Sequence, residues 1–202
     1  MTVESLRNLI RRDLARYEQT YRLRGQTYSK CRVQWESVLF KAGFHAVLLY
    51  RLSHWLFRKG WVYSAWWLSR MNLASTGADI EFNAEIGPGM FIAHPVGIVI
   101  GRGTVIGAEV TIFQGVTLAV RSWHPEEIRK FPRLGDHCFL FANSSVYGGV
   151  TVGNCCVISA YSVVMSDMPD GALARGVPAE IVSGKGRDML AEWGLLDKVT
   201  GT

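Results

Sequence analysis

Aliphatic residues recur at every sixth position through most of the second half of the chain. The series runs through Ile80, Ile86, Ile92, Ile100, Ile106, Ile112 and Leu118, and then through Leu134, Leu140, Val146, Val152, Ile158 and Val164. One two-residue slip separates Ile92 from Ile100. A period of six predicts a triangular coil, in which each unit supplies one short strand and one corner and the aliphatic residues stack inward. The alternative, a β-sandwich, requires period-two alternation, which this pattern lacks.

Two smaller patterns accompany the coil. Glycine directly follows the aliphatic residue at Gly87, Gly101, Gly107, Gly135 and Gly153, which predicts turns that favour a residue without Cβ strain. Slim residues stand four positions after many of the aliphatic ones, as at Ala84, Thr104, Val110, Val116, Cys138, Ser144, Val150, Cys156 and Ser162. Both patterns support a repeating coil.

Before the coil, from residue 4 to about 74, apolar residues recur at three- and four-residue spacing, which predicts helices with breaks at Gly25, Gly43 and Gly60. The predicted domains are a helical region at 1–76, the coil at 77–182 and a C-terminal tail at 183–202 that carries a helix at roughly 186–198. The polar segment 119–132 interrupts the coil and is expected to project as a loop, on the binding face that insertions in repeat proteins often occupy.

Charge and composition narrow the function classes. The net charge is +5, but acidic residues interrupt the basic ones, so the sequence predicts no nucleic-acid partner and is compatible with an anionic small ligand such as a coenzyme. The N-terminal segment lacks the features of a signal peptide, which indicates the cytoplasm. The four cysteines suggest neither disulfides nor a zinc site and are expected to be buried.

Tryptophan is concentrated in the helical region. Five of the seven tryptophans lie between residues 35 and 67, mixed with arginine and lysine, and no apolar stretch is long enough to span a membrane. Such a mixture indicates packing against another subunit or contact with a membrane surface. The first interpretation is preferred.

His94 is the main candidate for chemistry. It lies where the six-residue count slips, among apolar neighbours, and an imidazole with an ordinary pKa near 6.5 suits a general base. Asp79 precedes it by fifteen residues, close to one coil, and could orient the imidazole. The alternatives are a histidine in a surface turn and an aspartate that caps a turn.

Four segments resemble the serine acetyltransferase family, whose members are left-handed β-helix acyltransferases with hexapeptide repeats. The similarity covers roughly residues 43–182 and rests on GFHAVLLYRLSHWLF, TGADIEFNAEIGPGMFIAHPVGIVIG, IGAEVTIFQGVTL and GVPAEIV. The stretch around His94 is fairly specific to that family, whereas hexapeptides alone mark the wider superfamily. The fold class implied is an N-terminal α-helical region followed by a left-handed parallel β-helix, an exception to the usual handedness of parallel connections.

The resemblance also implies a mechanism and an assembly. His94 matches the family's general base and Asp79 its acidic partner. Acetyl-CoA is the implied cosubstrate, without a metal, and binds in a groove lined by the backbone at Ala119, Val120, Ala142 and Ala160. The implied assembly is a homotrimer, with a dimer of trimers through the N-terminal helices as a further option.

Several departures from the family concern the acceptor. Ala93 and Arg102 replace acidic residues, Ala119 and Val120 replace two glycines, and Lys130, Phe131 and Pro132 replace an Arg-His-Pro segment. The predicted acceptor-binding residues are His124, Arg121, Lys130 and Arg102, since a histidine and cations suit a carboxylate or a sugar acid.

The predicted function is therefore an acetyl-CoA-dependent O-acetyltransferase that acts on L-serine or a similar small hydroxyl acceptor. One alternative is a sugar O-acetyltransferase of a surface-polysaccharide pathway. An alternative of another class is a non-catalytic β-helix assembly protein that uses the tryptophan-rich helices as its interface.

Overall fold

The N-terminal part of the chain is helical. The computed structural model describes residues 6–23 and 28–196, and its first helices are α1 (Leu6–Leu23), α2 (Lys30–Phe40), α3 (Ala42–Arg58) and α4 (Val62–Thr76). Gly60 forms the turn before α4, and Gly77 ends that helix in the left-handed region, its amide donating to the Leu73 carbonyl. The predicted break at Gly25 lies outside the described residues.

The rest of the chain winds as a three-sided coil of short strands. The strands are β1 (Asp79–Ile80), β2 (Glu85–Ile86), β3 (Phe91–Ile92), β4 (Val99–Ile100), β5 (Val105–Ile106), β6 (Thr111–Ile112), β7 (Thr117–Ala119), β8 (Arg133–Leu134), β9 (Phe139–Leu140), β10 (Ser145–Tyr147), β11 (Thr151–Val152), β12 (Val157–Ile158), β13 (Val163–Val164), β14 (Leu173–Arg175) and β15 (Glu180–Val182). Face 1 contains β1, β4, β7, β10 and β13, face 2 contains β2, β5, β8 and β11, and face 3 contains β3, β6, β9, β12, β14 and β15. All pairs within a face are parallel except β14 with β15.

The predicted aliphatic columns form the core of this coil. Each of the thirteen residues is buried, and each is the inward residue of its strand. On face 1 the register pairs Ile80 with Ile100, Ile100 with Leu118, and Leu118 with Val146. The period-six prediction is therefore confirmed, and each isoleucine or leucine buried in this way contributes about 1.5–3 kcal/mol.

The glycines that follow the aliphatic residues have a different role from the one predicted. The residues concerned have no positive φ. A Cβ built at Gly87 would instead lie 2.6 Å from the carbonyl carbon of Gly107 on the next coil, and one at Gly135 would lie 2.8 Å from the carbonyl carbon of Gly153. Stacking distance between coils, rather than turn conformation, selects glycine here.

Gly43 was predicted as a helix break, and that expectation is wrong. The chain breaks at Lys41, whose extended backbone separates α2 from α3, while Gly43 lies in the first turn of α3. A Cβ at Gly43 would overlap the carbonyl oxygen of Ile92. The glycine thus lets α3 approach the first coil closely.

Helices α1 and α3 cover the start of the coil through buried polar contacts. Arg51 donates to both carboxylate oxygens of Asp13, at 2.8 and 3.0 Å, and to the carbonyl oxygens of Ile86 and Gly87. Asp13 also accepts from the Met90 amide at 2.9 Å. Both side chains are almost inaccessible, with 2% of Arg51 and 1% of Asp13 exposed. This ion pair fixes the helices to the coil.

The insertion and the C-terminus complete the fold. A loop links β7 to β8 at the predicted interruption, and β14 extends face 3 beyond Val164 before β15 turns back. The C-terminal helix α5 (Lys185–Glu192) packs on β12 and β14. It ends earlier than the predicted helix, whose last two residues lie outside the described part of the chain.

Two sequence expectations concern burial and membranes. Cys138, Cys155 and Cys156 are buried free thiols as predicted, but Cys31 is exposed on α2, so that part of the prediction is wrong. Within residues 6–23 and 28–196, no helix combines the length and apolarity needed to cross a membrane.

Candidate active site

His94 lies in the turn between β3 on face 3 and β4 on face 1. This turn is two residues longer than the later turns from face 3 to face 1. Eight positions separate Ile92 from Ile100, whereas six separate Ile112 from Leu118. The turn is anchored where the Gly97 amide donates to the Gly77 carbonyl at 2.9 Å. His94 is exposed whereas Pro95 is buried, so the longer turn presents the imidazole at the surface.

A column of backbone hydrogen bonds runs along this corner, from the His94 turn through the coils below. The Gly115 amide donates to the Val96 carbonyl at 3.0 Å, the Asn143 amide to the Gln114 carbonyl at 2.9 Å, and the Tyr161 amide to the Ala142 carbonyl at 3.0 Å. The predicted residues His94, Ala142 and Ala160 therefore lie along one corner, which we call the His94 corner.

A groove of about 640 Å³ opens beside the His94 corner. Its walls come from face 3, the C-terminal segment, α1 and the α2–α3 junction, and its lining includes Tyr17, Lys41, His94, Pro95, Phe113, Phe139, Phe141, Trp193 and Leu195. The rings of Phe113 and Phe141 stack with centroids 5.4 Å apart, and Trp193 meets Phe141 edge-on at 5.8 Å. The imidazole of His94 lies 6.5 Å from the Phe113 ring. The groove can hold an apolar group next to a histidine.

Asp79 begins the first coil on face 1, beside the strand that follows the His94 turn. Its amide donates to the Ile98 carbonyl at 2.8 Å, and its carboxylate accepts from Arg70 of α4 at 2.5 Å. Asp79 is about one-third exposed. Among the described residues its polar partner is Arg70 and not His94, so the proposed pairing of Asp79 with His94 stays a prediction.

The remaining predicted residues lie at the corner between faces 1 and 2, which we call the loop corner. The Gly148 amide donates to the Ala119 carbonyl at 2.9 Å, and Val120 begins the loop to β8. Arg102 is exposed in the turn after β4 at the same corner. The ring of Phe131 covers this turn, since a Cβ at Gly101 would lie 2.8 Å from it.

The loop presents its polar residues to solvent. Arg121, His124 and Lys130 are all exposed, and the amide of Glu127 donates to the His124 carbonyl at 2.9 Å, which forms a short turn. Lys130 donates to Glu127 at 2.8 Å, and this hydrogen bond raises the pKa of Lys130 and lowers that of Glu127. Both groups are therefore charged at neutral pH.

Apart from Asp79 on face 1, the predicted site residues thus form two groups. His94, Ala142 and Ala160 lie at the His94 corner, whereas Ala119, Val120, Arg102 and the loop lie at the loop corner, with face 1 between them. Within a single chain the structure does not bring the two groups into contact.

Several residues of the groove were not predicted. Phe113, Phe139 and Phe141 are adjacent in sequence to the inward residues Ile112 and Leu140, so aromatic residues at outward positions were an available signal. Trp193 gave no such signal, because its place in the groove depends on how the C-terminal segment packs against the coil. The contact of Arg70 with Asp79, outside the groove, likewise depends on how α4 packs.

Comparison with known proteins identifies the family. The model of the family described as bacterial transferase hexapeptide (six repeats) matches residues 131–165. A serine acetyltransferase of Helicobacter pylori is 39% identical over 152 residues, which cover 75% of this chain and 88% of that protein.

Solved structures agree with that match. The Neisseria gonorrhoeae serine acetyltransferase in complex with serine superposes with a TM-score of 0.75 at 30% identity, over 87% of this chain and 68% of that one. A serine acetyltransferase in complex with CoA gives a TM-score of 0.72 at 32% identity, over 86% and 69%. The chain thus spans about two thirds of these crystallised chains. Its coil is the left-handed β-helix of these acyltransferases, and the chain belongs to the serine acetyltransferase family.

Proposed function

We propose that this protein transfers the acetyl group of acetyl-CoA to the hydroxyl of L-serine or a similar small acceptor, with His94 as general base. The observation that carries the proposal is the position of His94, beside a groove of about 640 Å³ and on the same corner as Ala142 and Ala160. Its ring makes no hydrogen bond with any residue that the structure describes, so both nitrogens are open to a ligand.

In the proposed reaction, the neutral imidazole removes the hydroxyl proton as the acceptor oxygen attacks the thioester carbonyl. The tetrahedral intermediate then collapses, its carbon–sulfur bond breaks, and the CoA thiolate takes the proton from the imidazolium. The products are the O-acetyl ester and CoA. This direct transfer requires neither a covalent enzyme intermediate nor a metal ion.

The coenzyme is proposed to lie along the His94 corner. Backbone groups at Ala142 and Ala160 line this edge, and neither side chain extends beyond Cβ, so a ligand can approach the main chain. The aromatic wall formed by Phe113 and Phe141 offers an apolar surface on which a bound coenzyme would displace water, and hydrogen bonds to developing charge are stronger once water is excluded.

Asp79 is proposed to orient the imidazole. Arg70 donates to one carboxylate oxygen of Asp79, and the other accepts no hydrogen bond from a described residue. That second oxygen can accept from the imidazole, which would fix its tautomer and stabilise the imidazolium. Arg70 would then position Asp79.

A homotrimer is proposed because one chain holds the two groups of site residues at different corners. In a ring of three copies, the His94 corner of one protomer can face the loop corner of the next. Arg102, Arg121, His124 and Lys130 would then contact the acceptor, and Ala119 and Val120 would contact the thioester, from the neighbouring protomer. Pairing of trimers through the helices remains a prediction.

A sugar hydroxyl is the second candidate acceptor. The loop that carries His124 also carries Trp123, which is 84% exposed. A flat, exposed indole on the same loop as cationic Arg121 and Lys130 provides a surface for the apolar face of a sugar ring together with charge for an acidic substituent. These residues are the reason to test a sugar beside serine.

Release of the CoA thiol, followed with a chromogenic thiol reagent, separates the two acceptors. Purified protein is mixed with acetyl-CoA and either L-serine, L-homoserine or a panel of neutral and acidic sugars. We expect L-serine to give the highest kcat/KM. Thiol release only with sugars would show that the acceptor is a sugar and not serine. If no acceptor gave thiol release and acetyl-CoA did not stabilise the protein against heat, both proposed acceptors would be contradicted.

A further inference from the structure

Helix α4 exposes its large apolar side chains and buries its small polar ones. The residues it turns toward the protein are Ala65, Ser69, Asn72 and Thr76, all buried. Ser69 donates to the Ile80 carbonyl at 3.0 Å and Asn72 to the Ala46 carbonyl at 2.9 Å. The buried stripe therefore holds α4 on α3 and the first coil by hydrogen bonds and close approach, without bulky side chains.

The opposite side of α4 is aromatic. We call this side, together with Trp61 immediately before the helix, the aromatic face, defined as Trp61, Tyr63, Trp66, Trp67 and Met71. Tyr63 is 89% exposed, Trp66 58% and Trp67 60%, and helical spacing places residues 63, 66, 67 and 70 side by side. Single exposed apolar residues are ordinary, but a group of this size on one helix marks an interaction surface.

The charged residues of the segment that contains the aromatic face are all basic. Between Ser37 and Ala78 the sequence contains no aspartate or glutamate. Arg58 and Lys59 are exposed at the end of α3, next to the turn that leads to Trp61, and neither forms an ion pair with a described residue. Arg70 on α4 is paired with Asp79. The surface therefore presents aromatic rings beside cations that lack an anionic partner.

This combination distinguishes between the two interpretations of the tryptophan-rich region. In a symmetric contact between two copies through this face, Arg58 and Lys59 would approach a segment that is itself cationic, because residues 37–78 contain no carboxylate. The headgroup layer of an anionic bilayer supplies phosphates for the cations, and tryptophan and tyrosine rings are favoured at that depth.

We propose that the aromatic face of α4, with Arg58 and Lys59, is a docking surface for a membrane that contains anionic phospholipid. The contact is peripheral: the rings enter the headgroup region and the cations bind phosphate. Arg70, on the same side of the helix, links this surface to Asp79 at the start of the coil. The proposal does not depend on which acceptor the enzyme uses.

Vesicle sedimentation with the full chain tests the proposal. The probes are vesicles of phosphatidylcholine alone and vesicles of phosphatidylcholine and phosphatidylglycerol in equal parts. We expect the protein to sediment with the anionic vesicles at low salt, to remain in the supernatant with the neutral ones, and to be released as salt is raised. Tryptophan fluorescence should shift to the blue only with the anionic vesicles.

Two pairs of variants assign the contact to α4. Trp66→Ser with Trp67→Ser should weaken binding to the anionic vesicles by about tenfold or more, and Arg58→Gln with Lys59→Gln should weaken it by roughly an order of magnitude. Matched controls are Trp123→Ser on the loop, and Arg175→Gln with Lys185→Gln near the C-terminus, which should bind like the unmodified protein. Circular dichroism melting verifies that each variant is folded.

Three results would contradict docking of α4 to an anionic membrane. Failure of the unmodified protein to sediment with anionic vesicles, or equal loss of binding in variants and controls, would overturn the proposal. A lower oligomeric state of the Trp66 and Trp67 double variant in analytical ultracentrifugation would also overturn it, because another protomer would then cover the aromatic face.

Discussion

The role expected of His94 as general base depends on an imidazole ring that has no hydrogen-bond partner among the described residues. The imidazole is exposed in a lengthened turn, while the buried Pro95 fixes the backbone directly after it. The aromatic ring of Phe113 lies at a centroid distance of 6.5 Å from the imidazole and belongs to the groove wall. A histidine with a purely structural role would instead be expected to resemble His54, whose Nδ1 lies 2.8 Å from the Phe82 carbonyl oxygen and whose pKa is lowered by burial.

Replacement of His94 by alanine tests its role as general base. We expect kcat to fall by about a hundredfold or more, because general-base assistance contributes about 10²- to 10⁴-fold. KM for acetyl-CoA should change little, since the backbone of the corner is retained. Steady-state kinetics and sedimentation measure activity and assembly together.

His137→Asn is the matched control for that variant. His137 is an exposed histidine of the coil with a φ of 56°, a conformation that asparagine tolerates. This variant should keep its activity. If His94→Ala retained a near-normal kcat, another group would have to remove the proton.

Single residues differ in how well sequence reveals their roles. The inward position of Ile106 follows from the spacing alone, because burial in a coil repeats with the chain. The role of Gly107 does not follow, since its Cβ would be blocked by Gly135 and Asp136, which are distant in sequence. Local patterns predict which residues are buried, but they do not show which atoms of the next coil leave no room for a Cβ at a glycine.

Among the elements, α1 and α3 share a buried ion pair that also bonds to the first coil. The guanidinium of Arg51 is held by Asp13 of α1 and by the carbonyl oxygens of Ile86 and Gly87, and Asp13 also accepts from the Met90 amide. A buried pair is costly to desolvate, yet removal of one partner leaves the other charge uncompensated. The stability of the helical region therefore depends on both residues.

Asp13→Ala should destabilise the protein by about 3–5 kcal/mol, the usual cost of breaking a buried ion pair. Urea denaturation at fixed protein concentration measures the change in the free energy of unfolding. The control is Glu180→Ala, which removes an exposed ion pair with Arg175 and should cost about 1 kcal/mol or less. Equal losses in the two variants would contradict the role assigned to Asp13.

The strands and the helices were not equally predictable. Strand positions repeat with a period fixed by the coil, so the sequence located the inward residue of each strand from β1 to β13. Helix α4 was predicted as a helix, but its orientation was not, because it buries Ser69 and Asn72 and exposes Trp66. Hydrophobic periodicity identifies the buried side of a helix only when packing, rather than hydrogen bonding, holds that side.

For the whole molecule, the main question is how the two corners cooperate. Sequence reasoning assigned residues at both corners to one site, and the fold places face 1 between them. Their separation could not be read from the sequence, because it depends on which face each six-residue unit joins. A site that uses both groups has to be assembled from two protomers, and closed rotational symmetry supplies the same contact to every copy.

Complementation between two inactive variants tests this shared site. One variant is His94→Ala, and the other combines Arg121→Ala with Lys130→Ala on the loop. When the two are co-expressed in equal amounts, half of the His94 corners are intact and half of the neighbouring loops are intact. Roughly a quarter of the sites in random rings should therefore be active. A site contained in one chain predicts instead that the mixture stays as inactive as its components, because every chain carries a defect.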